Sequence, residues 1–166
     1  MKKSAETPHW GDQRFEQPGF EKQESKIPAD VIDAYRSAHY QAGIGRNSVT
    51  LRVDHYSESL SRLFSASDHR GAAFITACNP GGVRQRPQEN RAACERLRER
   101  LNQYVSGPDD IIEGMGLDPS GDWPGEESFL ALGLDLEVSR TLGAEFQQNA
   151  VLWANADAIP RLILLR

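Results

Sequence analysis

The chain predicts a single α/β domain built on a mixed sheet of about five to six strands flanked by helices. Three observations carry this expectation. Val49, Leu51 and Val53 alternate with Thr50 and Arg52, the period of a strand with one buried face. Ala72 to Cys78 is apolar on both parities apart from Thr76, as in a central strand covered on both sides. Between about Pro87 and Tyr104, the residues Asn90, Cys94, Leu97, Leu101 and Tyr104 form one stripe among arginines and glutamates, the pattern of an amphipathic helix.

Taken in order, residues 1–26 carry five positive and five negative side chains, with Trp10, Phe15 and Phe20 as their large apolar groups. This composition reads as a flexible N-terminal arm, and its aromatic residues as a possible contact to a protein partner. Residues 27–166 form the domain. A helix is expected from about Pro28 to Gln41, because proline suits a first turn and Val31, Tyr35, Ala38 and Ala42 share a face. Gly43 and Gly45 end it. The strand at Val49 to Val53 leads to a short helix bearing Leu60, Leu63 and Phe64, and the buried strand Ala72 to Cys78 stops at Asn79-Pro80-Gly81-Gly82.

After the helix that begins near Pro87, a short strand is expected at Asp110 to Glu113, then a loop rich in Gly, Pro and Asp from Gly114 to Gly125. Phe129 to Leu134 reads as a buried strand, and Asp135 as the N-cap of a helix whose Val138, Leu142 and Phe146 face inward. Ala150 to Ala154 and Arg161 to Leu165 read as two closing strands paired antiparallel. Strands separated by helices imply some parallel pairing elsewhere, with ligands seated beyond the strands' carboxyl ends, where Asn79 falls.

Composition narrows the function classes. The 166 residues carry a formal charge of −5, which argues against a protein whose task is to neutralise nucleic-acid phosphates. The two cysteines make neither a disulfide framework nor a CxxC motif, so a reducing cytoplasm is the expected location. No stretch reads as a signal peptide or a membrane span.

Chemistry concentrates in three segments where polar groups abut apolar runs. Asn79 to Pro87 joins a buried strand to a helix N-terminus and reads either as an ordinary turn or as a site for an anion or polar ligand, with Arg84 and Arg86 adding charge. Asn90 opens the inward stripe of that helix, and a carboxamide so placed needs partners, the Asn79 turn being nearest. In the long loop, Asp118, Asp122, Glu126 and Glu127 put four carboxylates close together without EF-hand spacing, and a solvated acidic loop pinned by Trp123 is favoured over a metal site. Glu126, two residues before Ser128 at the edge of an apolar strand, is the candidate catalytic acid or base. Gln147, Gln148 and Asn149, caught between Phe146 and Ala150, must cap the helix or contact a ligand.

Nucleophilic catalysis has little support: there is no GxSxG turn, and Cys78 reads as a buried structural thiol. The four histidines show no metal-ligand spacing, so no metal is assigned. No cofactor motif is complete.

The run Phe74-Ile75-Thr76-Ala77-Cys78-Asn79-Pro80, then Glu89-Asn90, Gly116-Leu117-Asp118-Pro119, Gly121-Asp122-Trp123-Pro124 with Glu126 and Ser128, and finally Phe146 with Gln148-Asn149-Ala150-Val151, resembles an uncharacterised bacterial family, domain of unknown function 3293. The resemblance spans about Ile27 to Leu165 and implies a shared domain without assigning an activity, substrate or cofactor. Position 78 is more often Trp in that family's pattern, which speaks against Cys78 as an essential nucleophile. The expectation is a ligand-binding crevice formed by Asn79, Asn90, Trp123, Glu126, Gln148 and Asn149 for a small polar or nucleotide-like ligand, with hydrolysis or group transfer as its simplest chemistry. A noncatalytic protein-interaction module is the alternative.

Overall fold

A computed structural model describes residues 25–166. The expectations for the N-terminal arm, including Trp10, Phe15 and Phe20, fall outside these residues except at Ser25 and Lys26; Ser25 Oγ donates to the Arg166 carbonyl at 2.7 Å. The elements are α1 (Ala29–Ser37), β1 (His39–Ala42), β2 (Val49–Leu51), α2 (Glu58–Ser67), β3 (Ala72–Thr76), α3 (Pro87–Leu101), β4 (Ile111–Leu117), β5 (Glu126–Leu132), α4 (Leu136–Glu145), β6 (Ala150–Ala154) and β7 (Arg161–Leu164).

The strands form one sheet in the order β2-β1-β4-β5-β3-β6-β7, so the α/β domain has seven strands rather than five to six. Every neighbouring pair is antiparallel, and the expected parallel pairing does not occur. The reason lies in the crossovers. The β3-α3-β4 connection leaves its two strands pointing the same way, but β5 occupies the place between them. The β5-α4-β6 connection does the same around β3. The segment β3 to β6 is therefore a split β-α-β arrangement of the ferredoxin-like kind, extended by β1 and β2 at one edge and β7 at the other.

The additional strand comes from the expected first helix. Ala38, Tyr40 and Ala42 leave the helical path: Ala38 is extended (φ −63°, ψ 153°), and β1 pairs with both β2 and β4. Tyr40 then packs edge-on against Phe74, with ring centroids 5.3 Å apart. The strand expected at Asp110 to Glu113 likewise continues to Leu117, so the loop before β5 begins only at Asp118 and links two adjacent antiparallel strands. Gly114 belongs to that strand because a side chain there has no room: a Cβ would sit 2.5 Å from the Gln41 carbonyl oxygen and 2.9 Å from the Phe74 ring.

Parity along the strands sorts the core into two layers. Ala73, Ile75, Phe129, Ala131 and Val151 pack with Ala93, Cys94, Leu97 and Leu101 of α3 and Leu142 of α4. Ala72, Phe74, Leu130, Leu132, Leu152 and Ala154 face the other way, toward Leu60 and Phe64 of α2 and the β1-β2 hairpin. The doubly apolar reading of β3 thus holds. Asp135 caps α4 by accepting from the Val138 amide at 2.8 Å. Among the described residues, no helix is long and apolar enough to cross a membrane.

Candidate functional site

The antiparallel pairing places the site. Because β5 and β6 both flank β3 and run against it, their first residues lie beside its last. Thr76 pairs with Ser128 and Phe74 with Leu152, so the chain just beyond β3 meets Glu126 on one side and Gln148 on the other. The groups converge on the end of β3 through antiparallel neighbours and not through a parallel switch point.

Asn79 turns the chain there in the left-handed region (φ 49°, ψ 60°), a conformation that asparagine tolerates better than most residues. Its backbone N–H donates to Asn90 Oδ1, and Asn90 Nδ2 donates to Asn79 Oδ1, both over 2.9 Å. The same Oδ1 accepts from the Gln85 amide, while Asn79 Nδ2 donates to Glu126 Oε1, again at 2.9 Å. Asn79 is thereby held on three sides by neighbours from α3, from the loop before it, and from β5. The turn is also tied to the segment before β6: the Gly81 amide donates to the Gln147 carbonyl at 2.7 Å, and Gln148 Nε2 donates to the Cys78 carbonyl.

These groups border a recess of about 70 Å³ on the sheet face away from α3 and α4. Tyr35, Tyr40, Phe74 and Trp123 supply aromatic walls, with Glu126 and Gln148 among the polar lining. The volume is several times what one ordered water needs, so the recess admits a small group or the edge of a ring. Burial pushes the Glu126 carboxyl above its ordinary pKa, with the Asn79 hydrogen bond opposing the shift. Burial likewise raises Tyr35 and Tyr40, the latter strongly.

No buried side-chain nitrogen or oxygen lacks a partner among the described residues, yet Glu126 Oε2 and Gln148 Oε1 make no hydrogen bond to them. Both oxygens are therefore accessible. Tyr35 Oη accepts from Asn149 Nδ2 at 3.0 Å, leaving its own proton to give. One anchored carboxyl with a spare oxygen, one spare amide oxygen and one phenol donor form a compact hydrogen-bonding set.

Residues 75–151 match the model of a family described as Protein of unknown function (DUF3293). The chain resembles that family over a stretch running from Ile75 in β3 to Val151 in β6, which contains Asn79, Asn90, Trp123, Glu126, Gln148 and Asn149 but neither Tyr35 nor Tyr40. No curated protein and no solved structure matches the chain.

Of the residues singled out from sequence, Asn79, Trp123, Glu126 and Gln148 line the recess. Asn149 stands behind Tyr35, and Asn90 holds Asn79 from the α3 side without lining the recess. The remaining acids go elsewhere. Asp118 accepts from the Ser120, Asp122 and Trp123 amides and from the Ser120 hydroxyl, bonds that hold its carboxyl below the usual range and give it a turn role. Among the described residues, no cluster of three or more His, Cys, Asp or Glu is placed to hold a metal. The α3 N-terminus is occupied by its own chain: Glu89 accepts from the Arg86 amide and pairs with the Arg86 guanidinium at 2.7 Å.

Of the aromatic wall, the sequence singles out Trp123 but not Tyr35, Tyr40 or Phe74. Tyr35 fits the inward stripe of the helix expected from about Pro28 to Gln41, as a core residue would, and Tyr40 falls within the same expected helix. Phe74 was hidden inside the apolar run of β3.

Proposed function

We propose that the recess binds a small polar, nucleotide-like ligand, seating the edge of a planar ring between Tyr35, Tyr40, Phe74 and Trp123. One observation carries this reading: Glu126 is half-buried beside aromatic residues, anchored through Oε1 by Asn79, and left with Oε2 accessible. A carboxyl so placed accepts from a ring N–H or exocyclic amine, while Gln148 Oε1 and the Tyr35 hydroxyl read neighbouring positions on the same edge. The raised pKa moves Glu126 toward the range in which a group both gives and takes protons near neutrality, which suits a general acid or base in hydrolysis or group transfer. The two unbonded cysteines suit a reducing compartment, the cytoplasm.

The test is a thermal-shift screen with nucleotides, free nucleobases, sugar phosphates and divalent ions on the native protein and on the Glu126→Gln and Tyr35→Phe variants. The native protein is expected to gain thermal stability with a ring-bearing ligand, and Glu126→Gln to lose most of that gain. Equal responses from all three proteins would reject the site.

A further inference from the structure

A second piece of chemistry lies directly behind the recess. Cys78, just past β3, and Cys94, in α3, are both free and buried, with Sγ atoms 3.6 Å apart. They are 16 residues apart in sequence and are brought together by the same two segments that the Asn79–Asn90 hydrogen bonds join. Cys78 is the neighbour of Asn79, and Cys94 lies one helical turn beyond Asn90 on the same stripe. Both belong to the α3-side core, but Cys78 is also among the residues that border the recess, whereas Cys94 is not.

We propose that Cys78 and Cys94 are a reversible oxidation site that forms an intramolecular disulfide with a hydroperoxide and thereby displaces Asn79. In the first step the Cys78 thiolate attacks one peroxide oxygen. The O–O bond breaks, hydroxide leaves, and Cys78 becomes a sulfenic acid. In the second step the Cys94 thiol attacks the Cys78 sulfur, the S–O bond breaks, and the hydroxyl departs as water with the Cys94 proton. Two thiols lose two electrons and two protons, and one hydrogen peroxide becomes two waters. A dithiol reductant reverses the bond by thiol–disulfide exchange.

The roles follow from the surroundings. Cys78 borders the recess at the end of β3, whereas Cys94 lies on the buried stripe of α3, and the shared Sγ contact lowers the Cys78 pKa. Cys78 is the attacking sulfur and Cys94 the resolving one. A disulfide requires the sulfurs at about 2.05 Å. Closing the gap from 3.6 Å draws α3 and the end of β3 together at the point where Asn79 and Asn90 exchange hydrogen bonds. This proposal rests on the thiol geometry and not on the identity of any ligand.

The experiment treats the full chain with hydrogen peroxide, quenches it, and counts thiols by maleimide labelling after denaturation, with intact mass and peptide mapping. The native protein is expected to lose both thiols and two hydrogens of mass, to yield a linked Cys78–Cys94 peptide, and to recover both thiols with dithiothreitol. Cys94→Ala is expected to accumulate a sulfenic acid at Cys78 that dimedone traps, and Cys78→Ala to keep Cys94 reduced. Hydrogen exchange at the Asn79 amide is expected to change several-fold between the reduced and oxidised native protein. Retention of both thiols under peroxide that oxidises a free low-molecular-weight thiol, linkage only between separate chains, or overoxidation without the linked peptide would overturn the site. An Asn79 amide indifferent to oxidation would overturn its link to the recess. The native-protein measurements decide the matter even if a variant does not fold.

Discussion

Gln148 Nε2 donates to the Cys78 carbonyl over 3.1 Å and to the Phe146 carbonyl over 3.3 Å, so one buried amide closes the end of β3 against the start of β6. The contact spans 70 residues of sequence, and no strand ladder supplies it. It shows how the site is built: polar side chains finish the pairing where the backbone ladders stop.

Gln148→Leu keeps the side-chain volume and removes the donor, leaving two carbonyls in a buried place short of a partner. A loss of about 1–3 kcal/mol in unfolding free energy is expected, measured by urea denaturation. A variant as stable as the native protein would mean that Gln148 serves ligand contact and not closure.

Asn79 combines a left-handed backbone with four side-chain and backbone hydrogen bonds, and two substitutions separate these contributions. Asn79→Gly keeps the conformation and loses the side-chain bonds, for about 1–3 kcal/mol. Asn79→Ala adds the strain of a Cβ at positive φ, about 1 kcal/mol more. Equal losses from the two would show that the turn relaxes out of the left-handed region.

Glu126 gives stability a pH dependence whose sign is set by burial. Its pKa in the folded chain lies above the ordinary 4.5, so between those two values the folded state binds more protons than the unfolded state. Stability from this group is fully present below the unfolded pKa and is lost as pH rises through the folded one. Glu126→Gln removes the term, so the stability of the variant minus that of the native protein is expected to increase with pH across this window and then level off. Urea midpoints at a series of pH values give the difference, in which the shared contributions of other carboxylates cancel. A difference that falls with pH would show that Glu126 is stabilised as a carboxylate.

Gly114 and Gly107 make a matched pair. A Cβ at Gly114 meets the Gln41 carbonyl and the Phe74 ring, whereas one at Gly107 meets nothing within 4 Å. Gly114→Ala is expected to cost about 1–3 kcal/mol at an unchanged denaturant slope, and Gly107→Ala to stay within about 0.5 kcal/mol of the native protein. A Gly114→Ala variant of native stability would mean that β1 and β4 separate easily at that point.

Much of the local structure was legible because hydrophobic periodicity is a property of a few consecutive residues. The apolar parities of β3, the stripe of α3 through Cys94, Leu97 and Leu101, and the Asp135 cap all appear where their patterns stand. The first helix was overextended because Val31, Tyr35, Ala38 and Ala42 fit a helical period, while Ala38, Tyr40 and Ala42 fit a strand equally well. Two alanines that end up buried in either case leave the period ambiguous. Tyr104 fits the α3 stripe by its spacing, but the helix ends at Leu101 and the tyrosine is exposed.

The polar residues of the site were legible for a different reason: amides and acids set against apolar runs need partners, and Asn79, Asn90, Glu126, Gln148 and Asn149 all find them near the end of β3. Apart from Trp123, the aromatic wall was not legible, because tyrosine and phenylalanine on an inward face look the same whether they fill a core or border a recess.

The amino-acid order by itself determined most of the helices and strands, though not β1 or the second half of β4, along with which faces are apolar and which polar side chains had to be paired. Only the tertiary structure decided that every strand pair is antiparallel, that β5 and β6 begin beside the end of β3, and that two cysteines come within 3.6 Å. The division is physical: burial patterns repeat over a few residues, whereas strand order is chosen by packing between segments tens of residues apart, each of which satisfies its own pattern in more than one arrangement.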